Sequence, residues 1–212
     1  VGARVCLVDL HEDGVRAVSP HMVAQYAYAA RPDSENMLFL PGLKFGTPQN
    51  AVLTCATNTL VPALACERYP SARIAAVSSG NVYPLVSARS EGCRENDPLT
   101  PTGEYANSCV ARERIFEYCS ARKSTPVALL RLSYALDLRY GVLIDIAQRV
   151  FRGEPVDVTM GVFNCIWQGD ANEMILRALA LARSPAFALN LTGPVPLRVR
   201  EIARRFAQLM GK

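Results

Sequence analysis

Four short apolar runs constrain what this chain can fold into: Val5-Cys6-Leu7-Val8, Met37-Leu38-Phe39-Leu40, the stretch from Arg73 to Val77, and Val127 to Leu132. A strand that is apolar at nearly every position, rather than at every second one, is buried on both faces, as in a parallel sheet covered by helices. Helix-length segments separate the runs, over 21–30 after Pro20, over 51–69 and over 105–121. The expectation is an α/β fold, a doubly wound parallel sheet.

Beyond Ala135 the alternation loosens. The pattern predicts a helix over 144–151, a short strand over 155–158 and a loop over 161–168. It then predicts a helix capped by Asp170, with Glu173 completing a capping box and the helix running through Ala182. A strand over 187–191 and a helix over 199–209 follow. The reading is one continuous α/β unit, in which 1–136 form the main domain and 137–212 a small substrate-side lobe interwoven with the last sheet elements.

Composition removes several function classes. Over 212 residues the net charge is only +4, and the basic residues are scattered apart from Arg198 to Arg205. The helical spacing of Val199, Ile202, Ala203, Phe206 and Leu209 makes that cluster a solvated face, so nucleic acid is not an expected partner. Seven cysteines occur without CxxC spacing, and the two histidines belong to no ligand cluster, so no metal site is expected. Cys6, Cys55, Cys66, Cys119 and Cys165 sit among apolar neighbours, as free buried thiols of a cytoplasmic protein do. No apolar run is long enough to cross a bilayer.

Chemistry concentrates between Val77 and Arg114. Val77-Ser78-Ser79-Gly80-Asn81-Val82-Tyr83-Pro84 ends an apolar strand in two hydroxyls, and after a polar loop Tyr105 falls on the first turn of a helix. This arrangement can set Ser79 beside Tyr105 at the carboxyl edge of the sheet, where open α/β sheets bind ligands. A serine and a phenol there form a proton relay for a carbinol or carbonyl, provided a nearby positive charge lowers the phenol's pKa. One turn after Tyr105 stands Cys109, whose thiol, with a reference pKa of about 8.5, supplies no such charge. Arg112, two turns along the same face, is one alternative source, and Lys44 another.

These stretches resemble the extended short-chain dehydrogenase/reductase superfamily, specifically the NAD-dependent epimerase/dehydratase group typified by UDP-galactose 4-epimerase. Asp9-Leu10 looks like the strand end that contacts the adenine, although a turn acid would look the same. Leu40-Pro41-Gly42-Leu43-Lys44 is similar to the segment running under the cofactor. Asn58 matches the asparagine that steadies that segment. Ser78-Ser79-Gly80-Asn81-Val82-Tyr83 with Tyr105 matches the catalytic region, and Leu129 to Leu132 the strand behind it.

The resemblance implies a Rossmann-like fold and NAD or NADP as cofactor. It implies Ser79 and Tyr105 as catalytic residues and cofactor contacts from Asp9, Leu10, Leu40, Pro41, Gly42, Lys44, Asn58, Tyr105, the Cys109 position and Ser133. Substrate contacts would come from Ser79 and Tyr134, with Arg139, Tyr140, Trp167 and Gln168 on neighbouring loops. The substrate implied is a nucleotide sugar or related carbinol, and the helices over 51–69 and 105–121 would pair in a homodimer.

Three departures qualify this. No GxxGxxG occurs, so the first βαβ unit is expected to be missing, with weak dinucleotide binding as the consequence. The lysine that this family places one turn after the tyrosine is Cys109, which keeps open a non-catalytic dinucleotide-binding or sensor protein. Gly80-Asn81 also replaces the acid pair that sugar-nucleotide 4,6-dehydratases carry, which disfavours dehydration.

Overall fold

The structure, a computed structural model, describes the backbone of residues 5–8 and all of 34–43 and 49–212. Asp9, Leu10, Lys44 and the helix expected over 21–30 lie outside the described residues. The apolar runs form adjacent strands of one sheet: β1 (Val5–Val8), β2 (Asn36–Phe39), β3 (Arg73–Ser79), β4 (Val127–Leu132) and β8 (Phe187–Leu191), in the order β1-β2-β3-β4-β8. β1, β2 and β3 pair in parallel, Leu7 opposite Leu38 and Leu38 opposite Ala75. The fold is therefore the expected α/β class, with a Rossmann-like parallel sheet.

Successive strand residues point to opposite faces, and here both faces are covered. Met37, Phe39, Ile74, Ala76, Val127 and Leu129 join Val61, Ala65, Phe116 and Tyr69 in one core. On the opposite face Leu38, Ala75, Ala128 and Leu130 are buried as well. Two long helices carry the first core: α1 (Ala51–Arg68) and α2 (Gly103–Lys123). The rings of Phe39 and Phe116 meet edge to face at 5.0 Å, tying β2 to α2. The buried stripe of α2 is not wholly apolar, because Ser108, Arg112 and Glu113 lie on it with Cys109 and Phe116.

The chain divides into two compact units. The first comprises Val1–Pro84, Arg94–Arg131 and Ile175–Asn190; the second comprises Leu85–Cys93, Leu132–Met174 and Leu191–Lys212. In the second, α3 (Val142–Arg152) and α5 (Val199–Met210) enclose a core of Ile146, Phe163 and Val199, flanked by Val150, Ile202 and Phe206. The arginines of 198–205 are exposed, as the helical spacing requires.

Three local expectations are corrected. Residues 155–158 are not a strand: Val156 packs on the second core, while Asp157 accepts hydrogen bonds from the Thr159 backbone N–H at 2.8 Å and hydroxyl at 2.7 Å. That side-chain turn competes with any ladder.

Residues 161–168 are not a plain loop. They hold β6 (Val162–Phe163), antiparallel to β9 (Leu197–Arg198), and β7 (Ile166–Trp167), parallel to β5 (Ala135–Leu136). Two-residue strands are too short for periodicity to reveal.

The next helix, α4 (Gln168–Ala178), begins ahead of Asp170, which is a first-turn acid and not the cap. It gives way to a 3₁₀ turn over Leu179–Leu181. Among the thiols, Cys66 and Cys119 are buried, but Cys55 faces out from α1 and Cys165 is half-buried. Among the described residues no helix is long and apolar enough to cross a membrane, and no cluster could hold a metal ion.

Candidate active site

The carboxyl end of β3 and the first turn of α2 bring Ser79 and Tyr105 together. Ser79 ends β3 and caps the 3₁₀ turn Gly80–Val82, its Oγ accepting the Asn81 backbone N–H at 3.2 Å. Its hydroxyl also shares a hydrogen bond with the Tyr105 phenol, which shares a second with the Cys109 thiol one turn on.

Burial is the main influence on this phenol, and it pushes the pKa of Tyr105 up to about 12. Negative charge on Cys109 and the hydrogen bond to it push in the same direction, while the bond to Ser79 and the charge of Arg112 pull down. At neutral pH Tyr105 is therefore a protonated phenol, poised to donate rather than accept.

Beneath this pair Asn58, fully buried in α1, joins three parts of the first unit. Its Oδ1 accepts from the Leu43 backbone N–H at 3.0 Å and from Arg112 Nη2 at 2.5 Å. Its amide donates to the Leu43 carbonyl at 3.3 Å and to Ser108 Oγ at 2.7 Å. Ser108 in turn donates to the Tyr105 carbonyl at 2.7 Å. One side chain thus fixes the segment after β2 and the turn of α2 that carries the phenol. An asparagine in a helix interior is a poor helix former; the four bonds explain its presence.

The segment after β2 holds Leu40, Pro41 and Gly42. Gly42 is needed there for space, because an added Cβ would lie 2.6 Å from Arg112 Nη2.

A second buried network lies behind the strand end, and no sequence motif pointed to it. The Glu113 carboxylate, fully buried, accepts Arg131 Nε at 3.1 and 3.2 Å and Nη2 at 2.8 Å. It also accepts the Ser78 hydroxyl at 2.5 Å. Arg131 Nη1 donates to Tyr83 Oη at 2.6 Å and to the Glu95 carbonyl at 2.9 Å, and Tyr83 donates to Asn190 Oδ1 at 2.8 Å. The available signal was Arg131 itself: a charge inside an apolar strand demands a buried partner.

The remaining candidates belong to the second unit. Ser133 is half-buried, its backbone N–H donating to Leu191 O at 3.0 Å. Tyr134 is exposed at 42%, has a φ of 34° and meets Phe163 edge to face at 5.8 Å. Arg139 is held by Asp137, with Nε on Oδ1 and Nη2 on Oδ2 both at 2.9 Å. This bond holds the Asp137 carboxyl down to about 2. Tyr140 donates to Gln168 Oε1 at 3.1 Å, and Gln168 donates to Asn172 Oδ1 at 2.8 Å. Trp167 is 46% exposed, so it is not a core aromatic.

No family model matches the sequence, and no curated protein matches it. Solved structures do. DesIV, a dTDP-glucose 4,6-dehydratase from Streptomyces venezuelae with NAD and TYD bound, superposes with a TM-score of 0.74 at 17% identity, over 91% of this chain and 61% of its own. UDP-glucose 4-epimerase from Thermotoga maritima with UDP-glucose gives 0.71 at 16% identity, over 91% and 65%. MoeE5 in complex with UDP-glucose and NAD gives 0.69 at 19%, over 84% and 63%. The chain thus spans less than two thirds of the length of each. The resemblance read from the sequence is met in the fold: this chain has the Rossmann-like α/β fold of these nucleotide-sugar epimerases and dehydratases.

Proposed function

We propose that the protein is an NAD(P)-dependent oxidoreductase or epimerase acting on a nucleotide sugar or a related carbinol. The hydrogen bond between Ser79 and Tyr105 at the carboxyl edge of the sheet carries this reading. Two hydroxyls so placed can hold one substrate oxygen and pass a proton to or from it.

The donor set fits the nicotinamide half of a dinucleotide. The relay stands at a strand end, and Gly42, in the segment that Asn58 holds, is exposed. When bound, the dinucleotide supplies or accepts hydride at the carbon bearing that oxygen. Ser79 would hold the oxygen by hydrogen bonding, and Tyr105 would give it a proton as the carbonyl is reduced or take one as the carbinol is oxidised. Because the phenol is held protonated, donation is the direction available at neutral pH. Leu40, Pro41, Gly42, Lys44, Asp9, Leu10 and Ser133 are the cofactor-side residues in this reading. Tyr134, Arg139, Tyr140, Trp167 and Gln168 are those of the substrate side, so that, Ser79 and Tyr134 aside, 1–136 serve the cofactor and 137–212 the substrate.

NAD and NADP both suit the reading, as do a cytoplasmic location and a homodimer through α1 and α2. The solved neighbours crystallised with NAD, NADPH or UDP-glucose give general support.

Cys109 supports a second reading, a dinucleotide-binding sensor without turnover, because the thiol raises the phenol's pKa where a lysine would lower it. Titration of the full-length protein with NAD(H) and NADP(H) by fluorescence, followed by a hydride-transfer assay on a panel of sugar nucleotides, separates the two. Turnover that collapses in Tyr105→Phe supports the enzyme; binding without turnover across the panel supports the sensor. Absence of binding overturns both.

A further inference from the structure

The buried charges around α2 do not balance. Two arginines and one carboxylate are buried on and behind this helix, Arg112 and Arg131 each 4% exposed and Glu113 not at all. Glu113 is committed to Arg131, which takes both carboxylate oxygens. Among the described residues Arg112 donates only to neutral acceptors, from Nη1 to the Val77 carbonyl at 2.8 Å and from Nη2 to Asn58 Oδ1 at 2.5 Å. Its Nε finds no partner. The guanidinium carbon lies over the Phe39 ring, 5.8 Å from its centroid. Desolvation disfavours such a charge and lowers the pKa of Arg112, yet a guanidinium stays protonated in proteins. The result is a buried cation with no carboxylate of its own among the described residues.

Its place on the helix gives that cation an object. Tyr105, Cys109 and Arg112 follow at spacings of four and three residues, so they share one face of α2. The lost Cβ at Gly42 and the two oxygens hold the guanidinium on that face. We propose that Arg112 is the cation of this site, a positioning residue whose unpaired charge favours the ionised phenol of Tyr105 from two turns away, in a helix whose residue one turn away is the thiol of Cys109. The inference rests on the reading of Tyr105 as the proton-transfer group.

Among the described residues, the groups acting on Tyr105 include Ser79 from β3 and Cys109 and Arg112 from its own helix. Glu113 acts on Arg112 but is held by Arg131, and α1 offers the neutral Asn58. The charge of Arg112 pulls the Tyr105 pKa down, against burial and the thiol.

The test needs no substrate, so its failure is separable from failure of the proposed activity. Tyrosine labelled with ¹³C at Cζ is titrated by NMR, with the Tyr105 signal assigned from its loss in Tyr105→Phe. All chains carry Cys109→Ala, which removes the thiol and brings the phenol's midpoint below that of the native chain.

In that parent, Arg112→Gln is expected to raise the Tyr105 midpoint by about one pH unit. Arg112→Lys, which keeps the charge, is expected to restore most of it. Asn58→Asp, which gives Arg112 a carboxylate while leaving it in place, should raise the midpoint in the same direction and carries the test if Arg112→Gln does not fold. Unchanged midpoints in the folded variants overturn the proposal, and so do equal shifts in the Gln and Lys variants, which would mark a packing role. A phenol in the Cys109→Ala parent that stays neutral to the end of the titration overturns it too, since the guanidinium would then be exerting no field.

Discussion

Glu113 and Arg131 form a buried ion pair in which the carboxylate meets Nη2 at 2.8 Å, with the carboxylate fully enclosed. Such a pair contributes little compared with an apolar isostere, but breaking one side strands the other charge. Glu113→Gln is accordingly expected to destabilise the protein by about 3–5 kcal/mol. Urea denaturation measures this. A double variant, Glu113→Gln with Arg131→Met, should recover a large part of the loss, because neither member of the pair is then left as an orphaned charge.

Gly42 and Arg112 are predicted to be energetically coupled. The Cβ of Gly42→Ala would fall 2.6 Å from Arg112 Nη2, in a guanidinium that two hydrogen bonds, one from each Nη, hold in place. Overcrowding of this kind costs about 1–3 kcal/mol. In an Arg112→Ser chain the same alanine should cost close to nothing, so a double-mutant cycle on these positions should show a coupling of at least about 1 kcal/mol.

The raised pKa of Tyr105 makes stability fall in alkali. Its folded value of about 12 lies above the ordinary 10.0, so the unfolded chain ionises first. The stability that the neutral phenol contributes is whole below pH 10 and declines as pH rises toward 12. The full effect is about 2–3 kcal/mol. Denaturation midpoints of the native chain and Tyr105→Phe, compared between pH 8 and 11, should converge or cross in favour of the phenylalanine as pH rises.

Under the proposed reading, in which Tyr105 is the proton-transfer group, the pH dependence of the rate should be directional. Carbinol oxidation needs the phenolate, whose fraction grows tenfold per pH unit well below a pKa of about 12. Its rate should climb steadily from pH 7 to 10, while carbonyl reduction, which needs the phenol, should stay nearly flat. Tyr105→Phe should lose roughly 100- to 10,000-fold of turnover in both directions. Initial rates across that pH range decide it.

What the sequence disclosed depended on how local each signal was. β4 is continuous and apolar, and its bounds Val127–Leu132 match those read from the sequence. Ser79 and Tyr105 were legible as a pair because a strand end and a helix start each announce themselves. The two-residue strands β5, β6, β7 and β9 were not legible, because two residues cannot display a period.

The sequence also placed Arg112 on the face of Tyr105, but not its state. That it lacks a carboxylate among the described residues depends on Glu113 being engaged by Arg131, 18 positions further on and on another element. Charge balance of that kind is a tertiary property, which no window of sequence contains.

The absent side chain at position 42 has a consequence for how such a chain can vary. The hollow that glycine leaves there is occupied by the tip of a residue 70 positions later in the sequence. A lineage that acquired a lysine at 109 could dispense with the arginine at 112, and a vacated guanidinium pocket would then tolerate alanine or serine at 42. The three positions should therefore co-vary as a set, glycine with arginine and a neutral residue at 109, or a bulkier 42 with a short 112 and a basic 109. The choice of cation in this fold would be recorded three residues past the end of β2, on a different element from the phenol.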